Sequence, residues 1–181
     1  GAKGVFGLDV TDPQNFGTDD VLWEYNDANL GHVLGRPSLA RMADGSFAAV
    51  FGNGFGSGRA ARLYIVNAAN GSLIRSISTD TDESPSDNGL SPPIPVDTNG
   101  DRVIDLVYAG DYYGNLWKFD VSSSNPANWK VAFDTGSGPS PRPPRPLYRA
   151  CASGDATDPF LSTGAGSCAL TNRQPITMRP E

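Results

Sequence analysis

Hydrophobic and polar residues alternate along this chain in short runs, each ended by Gly, Pro, Asn, Asp or Ser. Val5-Phe6-Gly7-Leu8-Asp9-Val10 is such a run, Thr11-Asp12-Pro13 a turn, and Val21-Leu22-Trp23-Glu24-Tyr25 a second run. The pair returns as Leu63-Tyr64-Ile65-Val66-Asn67-Ala68 with Leu73-Ile74-Arg75-Ser76-Ile77. It returns again as Leu116-Trp117-Lys118-Phe119-Asp120-Val121 with Trp129-Lys130-Val131-Ala132-Phe133. Alternation places successive side chains on opposite faces of an extended chain, so each run predicts a strand. No stretch carries the helical period of about 3.6 residues. The chain is predicted to be all-β.

The first strands of these three hairpins are spaced 58 and 53 residues apart. Upstream of the second and third hairpins the sequence also repeats, without a gap, at an offset of 57. Leu39 falls opposite Val96, Phe47 opposite Ile104, and Val50-Phe51-Gly52 opposite Val107-Tyr108-Ala109. Four short strands renewed every 50 residues or so are the pattern of a β-propeller blade, which buries its faces against its neighbours. Residues 1–30 are then the outer hairpin of one blade, 33–80 a second blade and 92–134 a third. Residues 135–181 supply a Pro-rich crossing, a cysteine-bearing loop and the start of the next blade. The expected architecture is a β-propeller segment of two nearly whole four-stranded blades with partial blades at each end. Propellers close with about four to eight blades, so the first expected partner is the rest of a parent propeller.

One loop carries distinctive chemistry. In Asp97-Thr98-Asn99-Gly100-Asp101-Arg102-Val103-Ile104-Asp105, oxygen-bearing side chains occupy the first, third, fifth and ninth positions. Calcium takes about six to eight oxygens. Asp97, Asn99, Asp101 and Asp105, helped by the backbone carbonyl of Val103, are the candidate ligands, with Gly100 supplying the bend. An EF-hand loop needs glycine at its sixth position and a bidentate Glu at its twelfth; Arg102 and Tyr108 stand there instead. The shorter spacing resembles the calcium hairpins between propeller strands of integrin α subunits. The plainer alternative is an Asp/Asn-rich turn whose side chains hydrogen-bond local backbone. Against it, converging carboxylates repel one another without a cation. At the offset of 57 the four side-chain ligands fall opposite Ala40, Met42, Asp44 and Ala48, so the acids belong to one copy of a common scaffold.

Composition adds limits. The 21 Gly and 15 Pro among 181 residues suit a turn-rich β chain. A formal charge of −6 opposes nucleic-acid binding, which needs clustered Lys and Arg. No apolar run is long enough to span a bilayer, and an exported protein would carry its signal upstream of Gly1. Cys151 and Cys168 could close a disulfide loop in an oxidising compartment or remain free thiols; two cysteines alone make no zinc site.

Other features are structural. Asn70-Gly71 predicts a type I′ hairpin turn, and Asn70-Gly71-Ser72 also fits a glycosylation sequon. Gly52-Asn53-Gly54-Phe55-Gly56-Ser57-Gly58 opens no helix and reads as a flexible interstrand loop rather than a phosphate cradle. The Pro-rich residues 139–146, with Arg142 and Arg145, read as an extended crossing between blades, with partner recognition as the alternative. His32 has no neighbouring Cys or second His for chemistry.

Several of these residues resemble a known family. Val50-Phe51-Gly52-Asn53-Gly54-Phe55, Leu63-Tyr64-Ile65-Val66-Asn67, the acidic loop with Tyr108-Ala109-Gly110-Asp111-Tyr112-Tyr113-Gly114-Asn115-Leu116-Trp117-Lys118-Phe119-Asp120, and Gln174-Pro175-Ile176-Thr177 are similar to the C-terminal β-propeller of the PilY family. Its members are type IV pilus tip adhesins and biogenesis factors. The resemblance implies one Ca²⁺ held by Asp97, Asn99, Asp101, the Val103 carbonyl and Asp105, with occupancy coupled to pilus extension against retraction. It further implies export to the pilus tip, cell surface or outer membrane of a Gram-negative bacterium. The implied partners are the pilus or minor-pilin assembly and possible host-cell receptors or surfaces.

Two other classes compete with this non-enzymatic reading. Quinoprotein dehydrogenases are propellers that hold Ca²⁺, but in the alcohol dehydrogenases the quinone lies beneath a disulfide between adjacent cysteines, and Cys151 and Cys168 are not adjacent. Glycan-binding or sialidase-like propellers are the other class. The Ser-x-Asp-x-Gly-x-x-Trp turn of sialidases does not occur in this sequence.

Overall fold

The computed structural model describes residues 3–80, 87–133, 144–150 and 173–181. The alternating runs form three antiparallel sheets. Strands β1 (Val5–Leu8) and β2 (Val21–Tyr25) make a hairpin. Strands β3 (Ser38–Arg41), β4 (Phe47–Gly52), β5 (Arg62–Asn67) and β6 (Leu73–Ser78) make a four-stranded sheet in chain order. The third sheet runs β7 (Ile94–Val96), β8 (Leu106–Gly110), β9 (Asn115–Asp120) and β10 (Lys130–Val131), and β9 also pairs with β11 (Tyr148–Arg149). Among the described residues the helical elements are single 3-10 turns, Thr18–Asp20 and Pro126–Asn128, and no helix is long and apolar enough to cross a membrane.

The second sheet lies between the other two because its central strands are apolar on both faces. Ala48, Val50, Leu63 and Ile65 enter a core shared with Val107, Ala109, Trp117, Phe119 and Trp129 of the third sheet region. Ala49, Phe51, Tyr64 and Val66 enter a second core with Val5, against which Trp23 and Tyr25 pack. Full burial of such a side chain contributes about 1.5–3 kcal/mol. On the hairpin side, the Trp23 indole covers Gly71 so closely that an added Cβ would lie 2.8 Å from the ring. Its Nε1 donates to the Ala68 carbonyl at 2.9 Å.

Strand register tests the internal repeat. Ser38 lies opposite Val50 and Leu39 opposite Ala49, as Pro95 lies opposite Val107 and Val96 opposite Leu106. The gapless offset of 57 is therefore a structural equivalence. The offset of 58 also holds: the β1–β2 ladder shifts register between Gly7 and Leu8, and the β5–β6 ladder at the corresponding Ile65 and Val66. The spacing of 53 needs correction. Phe51 pairs with Tyr64 whereas Tyr108 pairs with Lys118, which makes the offset 54. A one-residue slip exchanges the faces of a strand. Accordingly Trp117 and Phe119, rather than Leu116 and Lys118, take the inward places of Leu63 and Ile65.

Local expectations also change. Asn70 does not have positive φ, so the turn is not type I′; Gly71 alone is left-handed at φ 70, and its N–H reaches back to the Asn67 carbonyl at 2.8 Å. The glycine-rich loop is pinned rather than flexible. Asn53 is buried there, donating to the Asn29 and Ala60 carbonyls and accepting from the N–H groups of Arg62 and Leu90. The strand expected from Trp129 to Phe133 shrinks to Lys130–Val131, since Trp129 ends a 3-10 turn and its Nε1 donates to the Ser123 carbonyl at 2.7 Å.

The last segment divides in two. Beyond the Pro-rich stretch the chain returns to the same sheet, where Tyr148 pairs with Leu116 and Arg149 with Asn115. Residues 173–181 lie across the end of that sheet: the Ile176 N–H donates to the Asp111 carbonyl at 2.9 Å, and Gly110 abuts Ile176. Residues 90–91 abut Gly52 of the second sheet in the same way. Cys151, Cys168 and Arg142 lie outside the described residues.

The two sides of the second sheet make a prediction. Met42 is fully buried and Leu39, nearby on the same hairpin, is 77% exposed. Met42→Ala is expected to cost about 2–4 kcal/mol and Leu39→Ala about 0.5 kcal/mol or less in urea unfolding. Equal costs would contradict this arrangement of the core.

Candidate metal centre

The acidic loop joins β7 to β8, and its backbone curls around its own side chains. Asp97 accepts from the N–H groups of Asn99 (3.1 Å) and Gly100 (2.7 Å) through one oxygen, and from Arg102 (2.7 Å) through the other. The Asn99 side-chain oxygen accepts from the Asp101 N–H at 2.8 Å, and Asp101 accepts from the Val103 N–H at 2.8 Å. At the far end Asp105 accepts from the N–H of Thr98 at 2.8 Å and from its hydroxyl. The five expected ligand residues are thus gathered in one loop, each of the four side chains held by the loop's own amides.

Two bends make this possible. Gly100 is left-handed at φ 84, as expected, and Arg102 is left-handed at φ 67. At the offset of 57 the second copy has Gly45 at the place of Arg102, with φ 88. Arg102 therefore holds a glycine-type conformation at the sixth loop position, where the sequence had pointed away from an EF-hand. Thr98 and Arg102 escaped sequence reasoning; the signal for Arg102 was Gly45 in the sister copy.

The loop does what the plainer turn reading required, since its acids bind local N–H groups. Among the described residues, no three His, Cys, Asp or Glu side chains are placed as a group that could hold a metal ion. The donor set nevertheless fits a hard cation in kind: three carboxylates, one amide oxygen and one peptide carbonyl, with no nitrogen or sulfur ligand required. A carboxylate has about four acceptor sites, so the three N–H groups on Asp97 leave it capacity. The Asn99 amide nitrogen points to Asp101 at 3.3 Å.

A second polar centre lies at the other end of the third sheet. Asp111 is fully buried and accepts from the Asn115 N–H, the Asn115 side-chain amide, the Trp117 indole and the Asn88 amide at 2.7–3.0 Å. Arg149 donates to Asn115 at 2.9 Å, tying β11 to this network. These four donors hold the ends of β8 and β9 together, so the cluster fastens the β8–β9 turn. His32, elsewhere, pairs through its backbone with Phe55.

Fold, repeat and loop together define a segment of a β-propeller with an acidic inter-strand loop. Residues 1–176 match the family described as the PilY1 beta-propeller domain, and the chain belongs to that family. The chain is 44% identical over 151 residues to a type IV pilus biogenesis factor PilY1 homolog of Xylella fastidiosa, a match covering 76% of this chain and 10% of the relative. It is 41% identical over 127 residues to type IV pilus biogenesis factor PilY1 of Pseudomonas aeruginosa, covering 67% of this chain and 10% of that protein. The chain thus spans about a tenth of these relatives. The crystal structure of the Pseudomonas aeruginosa PilY1 C-terminal domain superposes with a TM-score of 0.76 at 33% identity, covering 100% of this chain and 35% of that one.

Two predictions concern the loop itself. The Arg102 N–H, with those of Gly100 and Asn99, holds the Asp97 carboxyl below its ordinary value of 3.8 against partial desolvation. A depressed folded value means that its stabilisation is complete above 3.8 and fades as pH falls through the folded pKa. An NMR titration of the Gly100 and Arg102 amide shifts should therefore have its midpoint below 3.8, and a midpoint at or above it contradicts these hydrogen bonds. Arg102→Gly should relieve left-handed strain and stabilise the fold by about 1 kcal/mol or less in thermal unfolding. A loss of stability would assign the Arg102 side chain a role of its own.

Proposed function

We propose that this chain is the calcium-binding propeller segment of a type IV pilus tip-associated adhesin and biogenesis protein, and that Ca²⁺ occupancy of loop 97–105 regulates pilus extension and retraction or adhesion. One observation carries the reading. In a family whose relatives are named for type IV pilus biogenesis, one copy of the repeat carries Asp97, Asn99, Asp101 and Asp105 on a loop whose amides they accept from, where the sister copy has Ala40, Met42, Asp44 and Ala48. The same relationship supports export to the pilus tip, cell surface or outer membrane. The partners are the pilus or minor-pilin assembly, a host-cell receptor or surface, and the remaining blades.

Asp97, Asn99, Asp101, the Val103 carbonyl and Asp105 would hold the ion. Bound calcium supplies the positive charge that lets three carboxylates converge. Without it, the loop's amides share the work of holding the acids, and repulsion among them favours a wider loop. Extracellular calcium modules commonly bind with Kd of about 10⁻⁴–10⁻³ M, which suits an exported site. The shift seen by a pilus partner is limited to the difference in calcium affinity between the two loop states.

Calcium at a hundredfold excess over Kd should stabilise the fold by about 2.7 kcal/mol and raise Tm by about 5–10 °C. Asp97→Ala or Asp101→Ala should abolish that rise in differential scanning calorimetry, whereas Asp44→Ala should retain it. The same loss in all three variants, or no rise in the wild type, defeats the assignment.

A further inference from the structure

The carbonyl of Val103 and the N–H of Ile104 are two ends of one planar peptide unit, and in a trans peptide they point in opposite directions. The Ile104 N–H leaves the acidic loop altogether: it donates to the Arg41 carbonyl of β3, in the neighbouring sheet, at 2.9 Å. Ile104 also forms a parallel bridge with Met42, which is fully buried, and packs against the core shared by the two sheets. On its own side the same stretch is fixed at Asp105, whose N–H donates to the Val96 carbonyl and whose carbonyl accepts from the Val121 N–H. Phe47, the counterpart of Ile104 in the second sheet, is 66% exposed.

We propose that this single peptide links the loop to the neighbouring blade, so that a divalent cation drawn to the Val103 carbonyl orders the β3–β4 hairpin through Ile104 and Arg41. The inference rests on the calcium reading above and deepens it by naming the route. Pulling electron density toward the carbonyl makes the N–H of the same amide a stronger donor, so the bond to Arg41 tightens. Reciprocally, Arg41 and Met42 are positioning residues. They fix the plane of the Val103–Ile104 peptide before an ion arrives, and linkage requires that hairpin order raise ion affinity by the factor that the ion raises hairpin order. Loop and hairpin lie on different blades, so the link turns a local event into a change at the interface between blades.

The test uses the full chain, Ca²⁺ titrated by isothermal calorimetry, and amide hydrogen exchange followed by NMR. With Ca²⁺ bound, exchange at Ile104 and across residues 38–47 should slow about tenfold. Ca²⁺ binding measured by calorimetry, with slowing confined to residues 97–103, overturns the link and leaves the calcium site standing. Absence of Ca²⁺ binding overturns both. Ile104→Pro, which deletes the N–H and keeps the Val103 carbonyl, should weaken Ca²⁺ binding about tenfold and abolish the slowing at 38–47. Unchanged affinity in a folded Ile104→Pro variant also overturns the link, and if that variant fails to fold, the wild-type exchange data decide.

Discussion

Strands β4 and β5 carry apolar side chains on both faces, and a sheet so built needs a covering layer on each side. The third sheet covers one face through Trp117, Phe119 and Trp129, and the β1–β2 hairpin covers the other through Val5, Trp23 and Tyr25. A two-stranded hairpin covers only the outer part of a four-stranded neighbour, and Leu39 and Phe47 at the inner part stand exposed. The same requirement explains the tight contacts. Gly71 lies beneath the Trp23 ring, and Gly52 meets the backbone of Leu90 and Ser91.

Layers packed this closely must also satisfy the polar backbone where the chain passes from one sheet to the next, because a buried unpaired group costs about 1–3 kcal/mol. Two buried side chains meet that requirement. Asn53 collects donors and acceptors from residues 29, 60, 62 and 90, spanning the second sheet and the approach to the third. Asp111 does so for the β8–β9 turn with Asn88, Asn115 and Trp117. These pins stand at the loop ends opposite the acidic loop, so the scaffold is fastened at one rim while the other rim carries variable chemistry.

The strands were legible because alternation reports burial directly, and the offset of 57 because no insertion separates the inner strands. The third strand was misplaced by one residue: Tyr64 and Trp117 match in type, yet Tyr64 faces the hairpin and Trp117 the second sheet. Residue type cannot distinguish two faces that are both apolar. The Asn70-Gly71 turn failed for a similar reason, since a pair suited to a two-residue turn also fits a wider one in which only Gly71 is left-handed. At the loop, the acids and Gly100 were visible as letters. The left-handed Arg102 was signalled only by Gly45 in the sister copy, because nothing in an arginine itself announces positive φ.

The two copies of the inner hairpin show how one backbone can be closed in two ways. In the second sheet the main chain does the work: the Met42 N–H donates to the Ser46 carbonyl, the Gly45 N–H to the Met42 carbonyl, and Asp44 adds only contacts to Ser46. In the third, side chains do it, with Asp97 gathering the amides of Asn99, Gly100 and Arg102 while Asp105 gathers Thr98. A hairpin closed by main chain depends little on the charge of its side chains. A hairpin closed by carboxylates depends on it, because protonation acts on the groups that shape it. Since both closures fit the same register of flanking strands, the scaffold accepts an acidic loop in one copy without repacking its core, as expected where chemistry is varied on a repeated fold.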